Sequence, residues 1–168
     1  NYTISPIIPQ RFSHLVTPPP CPVSYSVYLG TADPKDTNGF DFGFEYNFCH
    51  QLLVDVTSNR RRRCFRNTTR VFYTNEGFAA AYGVEVLVKM PDYVNPVSVS
   101  MPYTWGSDSA MVFNIGMLNS GQSGYITIID SVACISGITG LMQCTKAWIT
   151  PPNTCLMDST TGLGWDKS

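Results

Sequence analysis

The amino-acid sequence predicts an all-β protein, a two-sheet sandwich preceded by an extended N-terminal arm. Apolar residues recur at every second position in several short segments, which is the period of a strand with one buried face. The 13 Gly and 12 Pro residues favour frequent turns, and no long apolar pattern of helical period interrupts them. Because alternating strands need a second sheet to cover their apolar faces, two packed sheets are the simplest architecture.

Residues 1–22 are predicted to form an extended arm, because six prolines fix the backbone and remove amide donors. Such an apolar segment is poorly suited to be a solvated linker. Twenty extended residues reach about 65 Å, several times the ~15 Å radius of gyration of a globule of this size. We therefore expect the arm to contact a second copy of the chain through its large apolar side chains: Tyr2, Ile4, Ile7, Ile8 and Phe12.

Residues 23–155 are predicted to form the sandwich, and residues 156–168 a loose tail. Alternation predicts strands at 23–29, 40–46, 52–56, 71–74, 82–90, 111–117 and 125–133, with another at 145–150. Turn residues separate these segments, as at Asn75-Glu76-Gly77. The segment 97–101 lies between prolines, so we expect an edge strand there, where a missing amide donor is tolerated.

Six cysteines indicate a disulfide-bonded protein that folds in an oxidising compartment. Their spacing does not match a zinc site, and six cysteines allow about 15 pairings. One prediction joins Cys49 to Cys64 around an arginine-rich loop and two of the last three cysteines to each other. The candidates are Cys21, Cys49, Cys64, Cys134, Cys144 and Cys155.

Two N-x-[ST] sequons, at Asn1 and Asn67, predict N-glycans and agree with secretion. The segment Pro18, Pro19 and Pro20 is a short polyproline II spacer and a candidate site for O-glycans. No apolar run is long enough to span a membrane. The sequence starts at Asn rather than Met, from which we expect a processed mature chain.

Composition and motifs argue against several function classes. A formal net charge of −1 lacks the basic surplus of a nucleic-acid-binding protein. The two histidines, His14 and His50, belong to no recognised catalytic motif, so no catalytic residue and no cofactor are predicted. Acidic and amide side chains between Asp33 and Asp41 offer oxygen ligands, but their spacing does not match an EF-hand, and a solvated turn is preferred over a metal site.

The strongest charge anomaly is a basic cluster that contains six of the eleven Lys and Arg residues. Three interpretations stay open: a solvated loop that contacts acids of another subunit, a binding site for an acidic glycan, or a protease-processing site after Arg63. The cluster comprises Arg60, Arg61, Arg62, Arg63, Arg66 and Arg70.

Aromatic residues suggest one further site, the segment Tyr103-Thr104-Trp105-Gly106. An exposed Trp105 would offer a flat surface for a sugar ring, whereas a buried Trp105 would fill the core.

The layout of the whole chain resembles that of Ig-like β-sandwich subunits of glycosylated extracellular fibrils. The resemblance rests on the proline-punctuated apolar arm, the cysteine-containing strands and the sequons. It implies an Ig-like, Greek-key sandwich and polymerisation by insertion of the arm into a neighbouring subunit, with Tyr2, Ile4 and Ile8 adding a strand there.

Three functions are therefore considered. The first is a structural subunit of a secreted, glycosylated fibril or surface layer that binds copies of itself. The second is a carbohydrate-binding or adhesion module, or a viral surface sandwich, for which Trp105 is the candidate contact. The third is a secreted hydrolase, which the missing motifs disfavour.

Overall fold

The protein is described from a computed structural model, which places residues 2–9, 16–17, 24–28, 39–135, 144–155 and 164–165. The described residues form β-strands and one short 3-10 turn, Ser107–Ser109, which confirms the predicted all-β class. None of them forms a helix that is long and apolar enough to cross a membrane. Two compact units divide the chain, Asn1–Phe48 and Cys49–Ser168.

The first unit contains two short antiparallel pairs of strands. Strand β1 (Tyr2–Ile4) pairs with β3 (Tyr25–Val27), and β2 (Val16–Thr17) pairs with β4 (Glu45–Tyr46). The ring of Tyr25 packs against Phe40 and Phe42, at centroid distances of 5.4 and 5.2 Å. These aromatic contacts organise the unit because each ring shields apolar area from water.

This unit contains the strands that the sequence predicts at 23–29 and 40–46. Both are shorter than predicted, and neither belongs to the two large sheets. The predicted boundary between residues 22 and 23 lies outside the described residues. Alternation identifies a half-buried strand but not its partner, which is why β3 was assigned to the sandwich.

The second unit is a sandwich of two antiparallel sheets. The four-stranded sheet contains, in spatial order, β5 (Leu52–Ser58), β6 (Arg66–Asn75), β11 (Ser123–Val132) and β8 (Val94–Val99). The five-stranded sheet contains β13 (Gly164–Trp165), β12 (Lys146–Thr150), β7 (Ala81–Lys89), β10 (Met111–Leu118) and β9 (Thr104–Trp105). The pairing of β13 places two residues of the predicted tail in a sheet, and the rest of that tail lies outside the described residues.

The core lies between the two sheets and is filled by alternate residues of six strands. Full burial of each aliphatic side chain contributes about 1.5 to 3 kcal/mol. Most predicted apolar positions of β5, β7 and β10 are confirmed as buried, among them Leu52, Val54, Val86, Val88 and Phe113. Tyr82 and Met117 are exposed instead, and an irregular register at Gly116 makes Leu118 the buried residue at the end of β10.

The edges of the four-stranded sheet differ. Strand β8 is an edge strand containing Pro96, as the prolines predict. On the opposite side, the segment after β12 lies along the start of β5. The Asn153 amide accepts from Leu52 N at 2.5 Å and donates to Leu52 O at 3.0 Å, which completes the hydrogen bonding of that backbone.

Candidate functional site

The first predicted site, the arm, is paired within its own chain. Antiparallel pairing aligns Tyr2 with Val27 and Thr3 with Ser26. Of the predicted subunit-contact residues, Tyr2 and Ile7 are exposed, whereas Ile4 and Ile8 are half-buried; Phe12 lies outside the described residues. The arm therefore pairs with the three-residue strand β3 of its own chain, whereas the sequence predicted pairing with a neighbouring subunit.

The disulfide pairs differ from the predicted ones. Cys49 is bonded to Cys155 and Cys64 to Cys134, with Cα–Cα distances of 4.9 and 4.7 Å. Cys49 precedes β5 and Cys64 follows it, so the seven-residue strand holds the two roughly 20 Å apart. The predicted bond between them is therefore wrong. So is the predicted bond between two of the last three cysteines, because Cys134 and Cys155 are bonded elsewhere, while Cys144 is free in the described chain and Cys21 lies outside it.

The Asn67 side chain of the second sequon is buried, so it is poorly accessible for the attachment of a glycan. Asn67 is buried on β6, its amide donates to Phe65 O at 3.0 Å, and its carbonyl oxygen accepts from Arg62 N at 3.2 Å. A glycan on that amide nitrogen would need both solvent access and the loss of this donor. The geometry therefore argues against the predicted glycan at Asn67, and the other sequon, Asn1, lies outside the described residues.

The basic cluster divides into one internal and five surface arginines. Arg61 points inward, with 5% of its side chain exposed, and lies 3.6 Å from the carboxylate of Asp130, which is fully buried. Its guanidinium donates to Thr69 Oγ1 at 3.0 Å and to Thr145 Oγ1 at 2.6 Å. The Thr69 hydroxyl in turn donates to Asp130 Oδ2 at 2.7 Å. The four residues form a buried polar network between the sheets. Arg61 and Asp130 pair by charge, and each is hydrogen-bonded to threonine, but the 3.6 Å between Arg61 Nε and Asp130 Oδ1 is too long for a direct hydrogen bond.

This network bears on the processing interpretation. A protease that recognises consecutive arginines needs their side chains in its own subsites, but Arg61 is internal and the Arg62 amide is bonded to Asn67. Arg63 also donates to Ile135 O at 3.1 Å. Cleavage after Arg63 would therefore require local unfolding of the loop, which is disfavoured by its tertiary contacts.

Asp130 was missed in the sequence, although a signal for it exists. It occupies the inward position of β11 after Ile126 and Ile128, so the alternation already places a carboxylate in an apolar row. A buried acid of this kind requires a cationic partner. The sequence gives no comparable signal for Arg61, because five similar residues surround it.

The predicted aromatic segment forms an exposed platform. Trp105 lies on the edge strand β9 with 59% of its surface exposed, which rules out the interpretation that it fills the core. The Tyr103 ring contacts the Trp105 ring edge to face, with 5.2 Å between the ring centroids. Tyr103 itself packs against the buried Phe113 at 5.8 Å, so the indole is anchored to the core through a second ring.

Trp105 lines a surface pocket of about 340 Å³, here called the Trp105 pocket. Its polar lining includes two carboxylates, Asp92 and Asp108, with Asn95 and Lys89. Tyr93, half of whose surface is exposed, adds a second aromatic ring. A concave site with an aromatic wall and a few polar groups is the usual form of a small-ligand site.

Unusual backbone conformations concentrate at this pocket. Tyr93, Asp108 and Ser109 have φ angles of 66°, 56° and 58°, in the left-handed region that non-glycine residues rarely adopt. Hydrogen bonds hold the surrounding turns: Val94 N donates to Pro91 O at 3.2 Å, and Gly106 N to Ala110 O at 2.8 Å. Such residues cluster at functional sites, where the surrounding structure maintains them. The sequence indicates Trp105 but not Tyr93 or Asp108, because sequence alone does not reveal backbone conformation.

The remaining candidates from the sequence are the two histidines and the acidic turn before Gly39. His50 has a structural position, with its ring nitrogen 2.9 Å from Pro152 O and its backbone bonded to Thr154. His14 and the acidic turn before Gly39 lie outside the described residues. Within the described chain, no group of three or more His, Cys, Asp or Glu side chains is arranged to hold a metal ion.

Comparisons with known proteins identify no family. No protein-family model and no curated protein match the sequence. The structure is similar to part of a GH20 exo-β-N-acetylglucosaminidase from Vibrio harveyi, with a TM-score of 0.40 and 11% identity over 68% of this chain. The chain spans only 17% of that protein. It is also similar to the yeast GGA1 GAE domain, with a TM-score of 0.42 and 19% identity over 70% of this chain and 90% of that domain. At these scores neither likeness carries an argument about this protein.

Proposed function

We propose that the protein is a secreted, non-catalytic adhesion module that binds carbohydrate in the Trp105 pocket. The observation that carries this proposal is an exposed indole at the wall of a pocket with carboxylate and amide groups. A pyranose ring presents an apolar C–H face and polar hydroxyl edges. The indole suits the first, and Asp92, Asn95 and Asp108 suit the second, as acceptors and donors of hydrogen bonds.

Secretion is supported by the two disulfides, which are typical of proteins that fold in an oxidising compartment. The pocket volume of about 340 Å³ suits a ligand of one or two sugar units. The proposed ligand is therefore a short glycan or the end of a longer one, bound without chemical change.

A glycan array followed by titration of the best ligand tests the proposal. We expect saturable binding that Trp105→Ala weakens about tenfold or more, because the substitution removes the stacking surface. Tyr82→Ala is the matched control, since Tyr82 is also an exposed aromatic residue and lies seven residues from Lys89 at the far end of β7. Absence of saturable binding to any glycan, or equal affinities for the wild type and Trp105→Ala, would contradict the proposal.

Self-assembly into a glycosylated fibril or surface layer is the second candidate. It is favoured by the exposed apolar residues Tyr2 and Ile7 and by the brevity of the three-residue pairing of β1 with β3. The pairing within one chain weighs against strand donation, unless the arm exchanges between copies and makes the same contact in a neighbour.

A cross-linking experiment separates the two arrangements. Thr3 and Ser26 are aligned across β1 and β3, so Thr3→Cys/Ser26→Cys places two thiols side by side. Exchange predicts disulfide-linked oligomers on a non-reducing gel, whereas pairing within the chain gives a linked monomer. Linked monomer alone, together with unchanged filaments after deletion of residues 1–20, would remove the arm from any assembly.

A further inference from the structure

Five arginines lie exposed around one end of the β5–β6 hairpin. Three belong to the loop between the strands, and the other two lie on β6 itself. We call this set the arginine face; it comprises Arg60, Arg62, Arg63, Arg66 and Arg70.

The charge of the arginine face is not neutralised by its neighbours. Arg70 is aligned with Thr57 on β5 and Thr127 on β11, and Arg66 is aligned with Ser131, so the side chains directly opposite are hydroxyls. The exposed Asp55 lies diagonally from Arg70 on β5 and forms no ion pair with it. Among the described residues, no carboxylate lies within ion-pairing distance of these five arginines, and the nearby Asp130 is buried against Arg61. The whole chain has a net charge of −1, so the basic surface is local.

A polar cleft adjoins the arginine face. Its volume is about 300 Å³, and Arg70 lines it together with Thr57, Ser58, Asn59 and Thr68. Each of these described lining residues offers a side-chain hydrogen bond, and none of them is aromatic or aliphatic. The cleft therefore suits a ligand whose surface is covered with oxygen atoms.

The arrangement of the charges favours a polymer over a small anion. Arg66 and Arg70 are four residues apart on one strand, which separates their Cα atoms by roughly 13 Å. A single sulfate or phosphate reaches only one of them. A chain of repeated anionic groups can contact both and also the loop arginines.

We propose that the arginine face and its cleft bind a linear acidic polysaccharide. Guanidinium groups would pair with its sulfate or carboxylate groups, and the hydroxyls of Thr57, Ser58 and Thr68 would bind its sugar oxygens. An acidic peptide would need apolar pockets for its anchor residues, and a single-stranded nucleic acid would need aromatic stacking surfaces; the described residues of the cleft offer neither. This surface is distinct from the Trp105 pocket, since the described lining residues of the two sites do not overlap.

Binding of the full chain to immobilised dextran sulfate and to polygalacturonate tests the proposal and distinguishes sulfate from carboxylate recognition. Neutral dextran and polyglutamate serve as comparison ligands. We expect binding to at least one acidic polysaccharide, weakened about tenfold or more between 50 and 200 mM salt through counterion effects. Arg70→Gln is expected to weaken it about tenfold further, as the loss of a charge-assisted hydrogen bond.

Lys146→Gln is the matched control, because it removes one exposed positive charge from the opposite sheet. It is expected to leave binding unchanged, as is Trp105→Ala, so that failure of the sugar pocket is separable from failure of this site. Equal weakening by Lys146→Gln and Arg70→Gln would overturn the proposal, as would no binding at 50 mM salt. Preferential binding of polyglutamate would assign the surface to an acidic protein instead.

Discussion

Removal of the Arg61 side chain is the most informative perturbation of the sandwich. In Arg61→Met, the aliphatic part of the side chain is largely retained, but Asp130 loses its cationic partner while it stays fully buried. Breaking one half of a buried ion pair costs about 3 to 5 kcal/mol, because the remaining charge is uncompensated. Two threonines also lose their guanidinium donor, Thr69 and Thr145.

The free energy of unfolding, measured by urea denaturation with the disulfides intact, is the appropriate readout. Arg62→Met is the matched control, since Arg62 is the adjacent residue and its side chain is exposed. We expect it to change stability by no more than about 0.5 kcal/mol. A double variant, Arg61→Met/Asp130→Leu, should recover most of the lost stability, because neither charge remains buried.

Equal destabilisation by Arg61→Met and Arg62→Met would refute the stabilising role of the buried ion pair. A double variant less stable than Arg61→Met would also refute it, since the cost would then come from packing around the arginine rather than from the unpaired carboxylate. Either result would remove the buried ion pair as a stabilising feature of this fold.

Three further predictions concern the rest of the sandwich. Asn75→Ala should cost about 2 to 4 kcal/mol in urea denaturation, against little for the exposed Asn114→Ala, because the buried Asn75 amide makes four hydrogen bonds to backbone groups. After expression through a secretory pathway, Asn67→Gln should have the same electrophoretic mobility as the wild type, because the buried amide is not accessible to a glycan; a glycosidase that changes the mobility of the wild type alone would contradict this. Non-reducing peptide mapping should recover linked peptides joining Cys49 to Cys155 and Cys64 to Cys134; a Cys49–Cys64 peptide would contradict the arrangement.

Much of the sandwich is predictable because an apolar residue at every second position marks the buried face of a strand. Strands β5, β7, β10 and β11 were found close to their observed bounds, since apolar residues mark their inward faces. Strand β6 was predicted only for residues 71–74, because its first half, Arg66–Arg70, contains no apolar residue. That half pairs with β11 all the same, and its inward side chains belong to the polar interior.

Features that depend on which distant parts of the chain come into contact were not predictable. The sequence shows that the arm is apolar, but the choice of β3 as its partner depends on chain geometry. The exposure of Trp105 likewise follows from the position of β9 at a sheet edge, which no local pattern encodes. Disulfide pairing failed for the same reason, since sequence spacing does not measure the length of an intervening strand.

The disulfide between Cys49 and Cys155 has a mechanical consequence. The two residues are 106 positions apart in sequence, yet their Cα atoms are separated by 4.9 Å. Tension applied to the chain on either side of this pair passes through one covalent link and leaves the strands between unloaded. Roughly 350 Å of extended chain is thereby withheld from stretching. Both proposed binding surfaces lie between these two cysteines in the sequence, so they would stay folded under a pull that unravels the reduced protein.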